Sequence, residues 1–168
     1  MPIGVRTPHR FTVRIVKTLK YREHFWVRFA KISRGVTYVG VDIVASVIDN
    51  NQREFGNDNF SFRKFLSLED LPPADLLVCK DVLQHLPNAT VKAYLAAFRK
   101  KYKFLLITND EEPAHLQNID IDIGGWRTLR LDQEPFCEPS AVVLSWTVLW
   151  GKATTRKATS LLYGNSGI

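Results

Sequence analysis

Three groups of residues carry side chains suited to chemistry. The first is the run Cys79-Lys80-Asp81-Val82-Leu83-Gln84-His85-Leu86. Asp81 and His85 stand four apart, so one helical turn would align them on one face as an acid/base pair or as half of a metal site. A polar loop whose Asp and His pair structurally accounts for the same spacing. A complete metal site needs further ligands, and His9, His24 and His115 lie in unrelated contexts, so no metal centre is expected. The second is Asp42, which ends Thr-Tyr-Val-Gly-Val-Asp-Ile (37–43). An acid there can accept hydrogen bonds from ribose hydroxyls, as in dinucleotide folds, or cap the helix that follows, where a carboxylate favours the positive dipole end. The third is Gly124-Gly125-Trp126-Arg127. Adjacent glycines allow close backbone approach, Trp126 offers a stacking plane and Arg127 an anion-binding fork. A structural turn pinned by a half-buried Trp is the plainer reading. No Walker loop, nucleophile elbow or Gly-x-Gly-x-x-Gly occurs in the chain.

These residues need elements to hold them. Arg10–Val16 alternates apolar and polar positions and reads as a strand, and Glu23–Ile32 has Trp26, Phe29 and Ala30 at helical spacing, with Gly35 as its stop. Thr37–Ile43 is β-branched and aromatic, as a buried strand is. Val44–Phe55 carries Val44, Val47, Ile48 and Phe55 on one side of a helix that Gly56 closes. Asn59–Leu66 reads as a strand, and Asp75–Cys79 is a short continuous apolar run, the mark of a central parallel strand. Asn88 is placed to cap a helix over Thr90–Lys101, where Val91, Tyr94, Leu95 and Phe98 form its stripe. Tyr102–Thr108 is the next strand. A long loop is expected after Asn109, then strands over Ala141–Trp150 and Ala158–Tyr163 joined by a basic turn, Lys152–Lys157. With right-handed crossovers this order predicts an α/β, Rossmann-like, doubly wound and mostly parallel sheet with a β-hairpin at its C-terminal edge. Ligands of such sheets sit outside the carboxyl ends of the strands.

The chain has 168 residues, 45% of them hydrophobic, which suits one domain over 1–168. No apolar run approaches the ~20 residues of a membrane span. The first residues show no secretory pattern, and two cysteines make no disulfide framework. These features predict a cytoplasmic domain with reduced thiols. Residues 1–35 hold nine Lys/Arg against Glu23 alone, a charge of +8; the whole chain is +6, so the remainder is −2. This atypical basic segment reads as a solvated face or as a nucleic-acid footprint, with weak, salt-sensitive binding as the expectation.

Four stretches together resemble the class I S-adenosylmethionine-dependent methyltransferases: TYVGVDIV (37–44), ADLLVCKDVLQHL (74–86), YKFLLITN (102–109) and GGWRTLRLDQEPFCEP (124–139). The last is similar to a Gly-Gly-Trp-Arg…Pro-Phe segment of some small bacterial and phage-borne members. The resemblance runs from about Val16 to Pro139, and the tail over 141–168 matches weakly. It implies S-adenosylmethionine as cofactor and in-line methyl transfer to an acceptor the sequence does not name. On this reading Asp42 binds the cofactor ribose and Ile43 packs on the adenine. Leu66 stands where the family often has an acid, with Ser67 beside it, and Cys79 and Lys80 begin the loop that lines the methionine side. Asp81 or His85 would orient or deprotonate the acceptor, and Trp126 with Arg127 would help enclose it. One motif departs from the family. Its glycine-rich loop after the first strand would fall on Thr18-Leu19-Lys20-Tyr21-Arg22-Glu23, with the glycines replaced by Lys20 and Arg22. Side chains there intrude where backbone should approach the cofactor, so impaired binding is expected. A non-catalytic Rossmann-like interaction domain, binding nucleic acid or protein through its basic N-terminal face, is the alternative class.

Overall fold

The computed structural model describes residues 11–17, 36–112, 117–150 and 153–165. The helix expected over 23–32, its Gly35 stop, the Lys20–Arg22 loop and most of the basic segment lie outside the described residues. Seven strands, β1 (Phe11–Lys17), β2 (Val36–Asp42), β3 (Phe60–Lys64), β4 (Ala74–Lys80), β5 (Tyr102–Glu111), β6 (Ala141–Trp150) and β7 (Ala153–Tyr163), form one sheet. Their order is β3-β2-β1-β4-β5-β7-β6. The pairs β2–β3, β1–β2, β1–β4 and β4–β5 are parallel; β5–β7 and β6–β7 are antiparallel. Helices α1 (Ala45–Phe55) and α2 (Asn88–Lys101) follow β2 and β4. The architecture is α/β and Rossmann-like.

Strand alternation sorts the core into two layers. Val39, Val41, Leu77 and Cys79 face α2, which buries Val91, Leu95 and Phe98 against them. Tyr38, Phe60 and Phe62 face the other way and meet Ile48 of α1, with Leu76 and Val78 beside them. Gly40 is required by this second layer, because a Cβ there would lie 2.6 Å from the Phe62 ring.

Four local expectations are corrected. Asn88 does not cap α2 with its side chain; Pro87 is the N-cap, and the Asn88 N–H donates to Asp120 Oδ1 at 2.7 Å. On α1 the buried positions are Ile48 and Asn51, while Val44 is exposed. The loop expected after Asn109 begins later, because β5 continues through Asp110 and Glu111. The basic stretch 152–157 is not all turn: β7 starts at Ala153 and places Lys157 opposite Asp110 and Arg156 opposite Glu111. Cross-strand charge pairing extends both strands where apolar alternation stops.

The chain runs outward from β1 to β2 and β3, then returns to β4 on the other side of β1. The carboxyl ends of β1 and β4, where Lys17 and Lys80 are register partners, therefore mark the topological switch point. No helix among the described residues is long and apolar enough to cross a membrane.

Candidate functional site

Asp42 closes β2, is buried, and accepts the Val44 N–H through Oδ1 at 2.8 Å. The carboxylate thus meets the start of α1, where the helix dipole favours negative charge. Its carbonyl accepts the Phe65 N–H at 2.8 Å, which ties the exit of β3 to the exit of β2. The two residues next along these exits face solvent: Ile43 is 64% exposed and Leu66 74%. Two large apolar side chains thus stand open at adjacent strand exits beside a buried acid. Ser67 turns into the short 3-10 turn Leu68–Asp70, with its N–H donating to Asp70 Oδ2 at 2.9 Å.

The end of β4 is built differently. The Cys79 side chain is fully buried in the core, and burial pushes its thiol far up, so this position offers a ligand its backbone alone. Lys80 pairs with the neighbouring Asp81 carboxylate. Asp81 has φ +56°, a left-handed conformation that Asp tolerates better than most side chains, and its N–H donates to Thr108 O at 3.0 Å. Lys157 of β7 reaches Asp81 Oδ1 at 2.9 Å and also pairs with Asp110 Oδ1. Asp110 Oδ2 accepts from Gln84 Nε2 at 2.9 Å and Trp126 Nε1 at 3.0 Å, and its N–H donates to Gln84 Oε1 at 2.6 Å. Lys157, Asp110 and Gln84 are all buried. Burial pushes the Asp81 carboxyl up, but hydrogen bonds from Lys80 and Lys157 outweigh it and leave the group below its ordinary value. Burial likewise pushes the Lys157 ammonium down, and its bonds to Asp110 and Asp81 outweigh that and leave it raised. Asp81 and Lys157 therefore face each other as an ion pair across neutral pH.

The segment 124–127 docks on this cluster. Gly124, at φ +85°, donates its N–H to His85 O at 3.0 Å. Gly125 O lies 2.8 Å from His85 Nδ1, and the Arg127 N–H donates to Gln84 O at 3.3 Å. A carbonyl only accepts, so His85 Nδ1 carries the proton of this hydrogen bond. Trp126 is 56% exposed as a residue while Asp110 fixes its ring N–H. Arg127 is turned inward, 7% exposed, with Nη2 donating to Leu86 O at 3.0 Å and Nη1 to Asn88 Oδ1 at 2.6 Å and to Ile119 O. Its guanidinium, over the Phe136 ring, pins three segments together rather than presenting an anion fork to solvent.

The expected Asp81–His85 turn takes another form. Leu83–His85 is a 3-10 turn that begins after Asp81, so Asp81 points to the lysines and His85 to Gly125. Sequence reasoning missed Gln84, Asp110 and Lys157. The signal available for Lys157 was the alternation of Thr155, Lys157 and Thr159 within a strand, hidden by a basic composition that reads as a turn. Among the described residues no group of three His, Cys, Asp or Glu is placed to hold a metal ion.

No family model matches the chain, and no curated protein matches it. Solved structures share its fold. The magnesium protoporphyrin IX methyltransferase of Synechocystis PCC 6803 with bound S-adenosylhomocysteine superposes with a TM-score of 0.57 at 15% identity, over 90% of this chain and 74% of that one. The N-terminal domain of EvdMO1 with S-adenosylhomocysteine bound gives 0.56 at 13% identity, over 94% and 76%. DhpI in complex with the same ligand gives 0.53 at 15% identity, over 93% and 78%. The likeness establishes a shared Rossmann-like fold.

Proposed function

We infer that the chain is a methyltransferase-type domain that keeps the adenosine half of an S-adenosylmethionine site and binds that cofactor weakly. The observation that carries this reading is the end of β2: the buried Asp42 carboxylate beside the switch point, with Ile43 and Leu66 exposed next to it. An acid and two open apolar side chains fit a ribose and an adenine. The bound ligands of the structural neighbours support the same choice. Asp42 would hold the ribose hydroxyls, Ile43 and Leu66 the ring, and the backbone of Cys79 and Lys80 the amino-acid end.

The cofactor supplies an electrophilic methyl group. This chain's residues supply position and proton transfer. Asp81, ionised and gripped by two lysines, is a poor base and acts as a fixed negative charge. His85 Nε2 is the nitrogen able to take a proton from an acceptor, and the Gly125 carbonyl holds the ring in that tautomer. Trp126 presents a ring face to the acceptor, while Arg127 acts from behind by fixing the loop that carries it.

Weak binding rests on Lys20 and Arg22, which occupy the glycine positions of the family's loop. Titration calorimetry of the chain with S-adenosylmethionine and S-adenosylhomocysteine is expected to give affinity weaker than micromolar. Micromolar binding by the unmodified chain would remove the impairment from the account.

A further inference from the structure

The sheet has two outer edges, and they differ. The β3 edge is five residues long and ends in the exposed pair Arg63 and Lys64. Short length and surface cations are how an edge avoids pairing with another chain. The β6 edge has almost none of this protection. It is ten residues long, AVVLSWTVLW, without a charge or a proline, and Val142, Val143, Leu144 and Leu149 are exposed. Among the described residues no strand pairs with its outer side. Its one irregularity is the register shift between Val142 and Leu144, which leaves Leu144–Trp150 regular.

We propose that the outer edge of β6 binds the same strand of a second copy of this chain, antiparallel, about a two-fold axis at Thr147. The register itself argues for this occupant. Opposite residues in an antiparallel pair share a face, so a self-paired strand must pivot on a residue. A pivot at Thr147 uses every regular position. It sets Thr147 opposite Thr147, Trp146 opposite Val148, Ser145 opposite Leu149 and Leu144 opposite Trp150. Threonine pairs and aromatic–β-branched pairs are favourable cross-strand neighbours, and the strand brings no like charges together. The join makes one continuous sheet. Because the strands run antiparallel, the carboxyl ends of β1, β2 and β4 in the two copies point in opposite directions. The inference is therefore independent of the proposed cofactor site.

Seven paired residues span about 23 Å, less than a standard interface, so association is expected in the micromolar range. Sedimentation velocity of the full chain from about 5 to 200 µM brackets that range. The expected result is a shift from 19.2 kDa to twice that mass. Thr147→Glu is expected to abolish the shift without changing circular dichroism, since it sets like charges together only in the dimer and faces Arg156 within the chain. A second readout fixes the register. In a Cys137→Ser background, Thr147→Cys is expected to cross-link two chains on oxidation, and Ser145→Cys is not. A monomer at the highest concentration, a mass that grows past the dimer, a dimer that survives Thr147→Glu, or equal cross-linking at both positions would overturn the proposal.

Discussion

The exits of β2 and β4 lie two strands apart on the same side of one sheet, yet they are built on opposite principles. At β2, Asp42 sits at the start of α1 and the flanking Ile43 and Leu66 stand in solvent. At β4, Asp81, Lys157, Asp110, Gln84 and Trp126 form a network with its polar atoms drawn inward. The first arrangement leaves surface for a ligand to cover. The second holds a loop in place and offers solvent the ring of Trp126. A buried ionic network adds little stability over an apolar core but is costly to break. The β4 exit should therefore report on folding, and the β2 exit on binding.

The largest expected effect is Lys157→Met. It leaves Asp81 without one partner and Asp110 with neutral donors alone, a change that costs about 3–5 kcal/mol. At roughly 2–4 °C per kcal/mol for a domain of this size, the midpoint should fall by about 6–20 °C in a thermal melt. A shift under about 2 °C would show that the two exits do not differ in kind.

Arg127→Ala comes next. It deletes charge-assisted bonds to Leu86 O, Asn88 Oδ1 and Ile119 O, each worth about 1.5–3 kcal/mol before water replaces them. Amide exchange should rise over 117–127 more than over β2 and α1. Uniform loosening would mean that Arg127 supports the whole core and not the loop.

The pH dependence sharpens the contrast. Asp81 has a depressed folded pKa, so its contribution is present above its unfolded value and is lost as pH falls through the folded one. Lys157 has a raised folded pKa, so its contribution is present below the unfolded value and is lost as pH rises through the folded one. Glu111, raised by burial, opposes Asp81 on the acid side. The deficit of Lys157→Met in urea melts should be greatest near neutral pH and should shrink as pH falls below the ordinary aspartate value and the Asp81 carboxylate protonates. A constant deficit from pH 3 to 8 would contradict an ionised Asp81–Lys157 pair.

The fold was legible where one physical effect dominated. DLLVC reads as a central parallel strand and is one, paired with β1 and β5, and α2 follows its apolar stripe. Asp42 was legible as the acid that closes a strand, and Trp126 as the half-exposed ring of a glycine turn. Lys157 and Asp110 were not, because pairing across β5 and β7 joins residues 47 apart and makes a polar strand look like loop and turn. Arg127 was visible as an anion fork, but its partners Leu86, Asn88 and Ile119 come from folding of the 117–127 loop, which sequence spacing does not encode.

The smallest expected effect concerns the basic N-terminal segment, +8 over residues 1–35. Binding of a short duplex is expected to be weak and to fade steeply with salt, as counterion release requires. A salt-resistant, sequence-selective complex would favour an interaction domain over an enzyme.

The central claim is that the β2 exit keeps an adenosine site and that Lys20 and Arg22 obstruct it. The most direct measurement is calorimetric titration of S-adenosylhomocysteine into the Lys20→Gly, Arg22→Gly protein, with and without Asp42→Ala. The account predicts measurable binding in the double variant and a loss of roughly tenfold or more when Asp42 is removed. No binding by the double variant, or equal affinity with and without the Asp42 carboxylate, would contradict it.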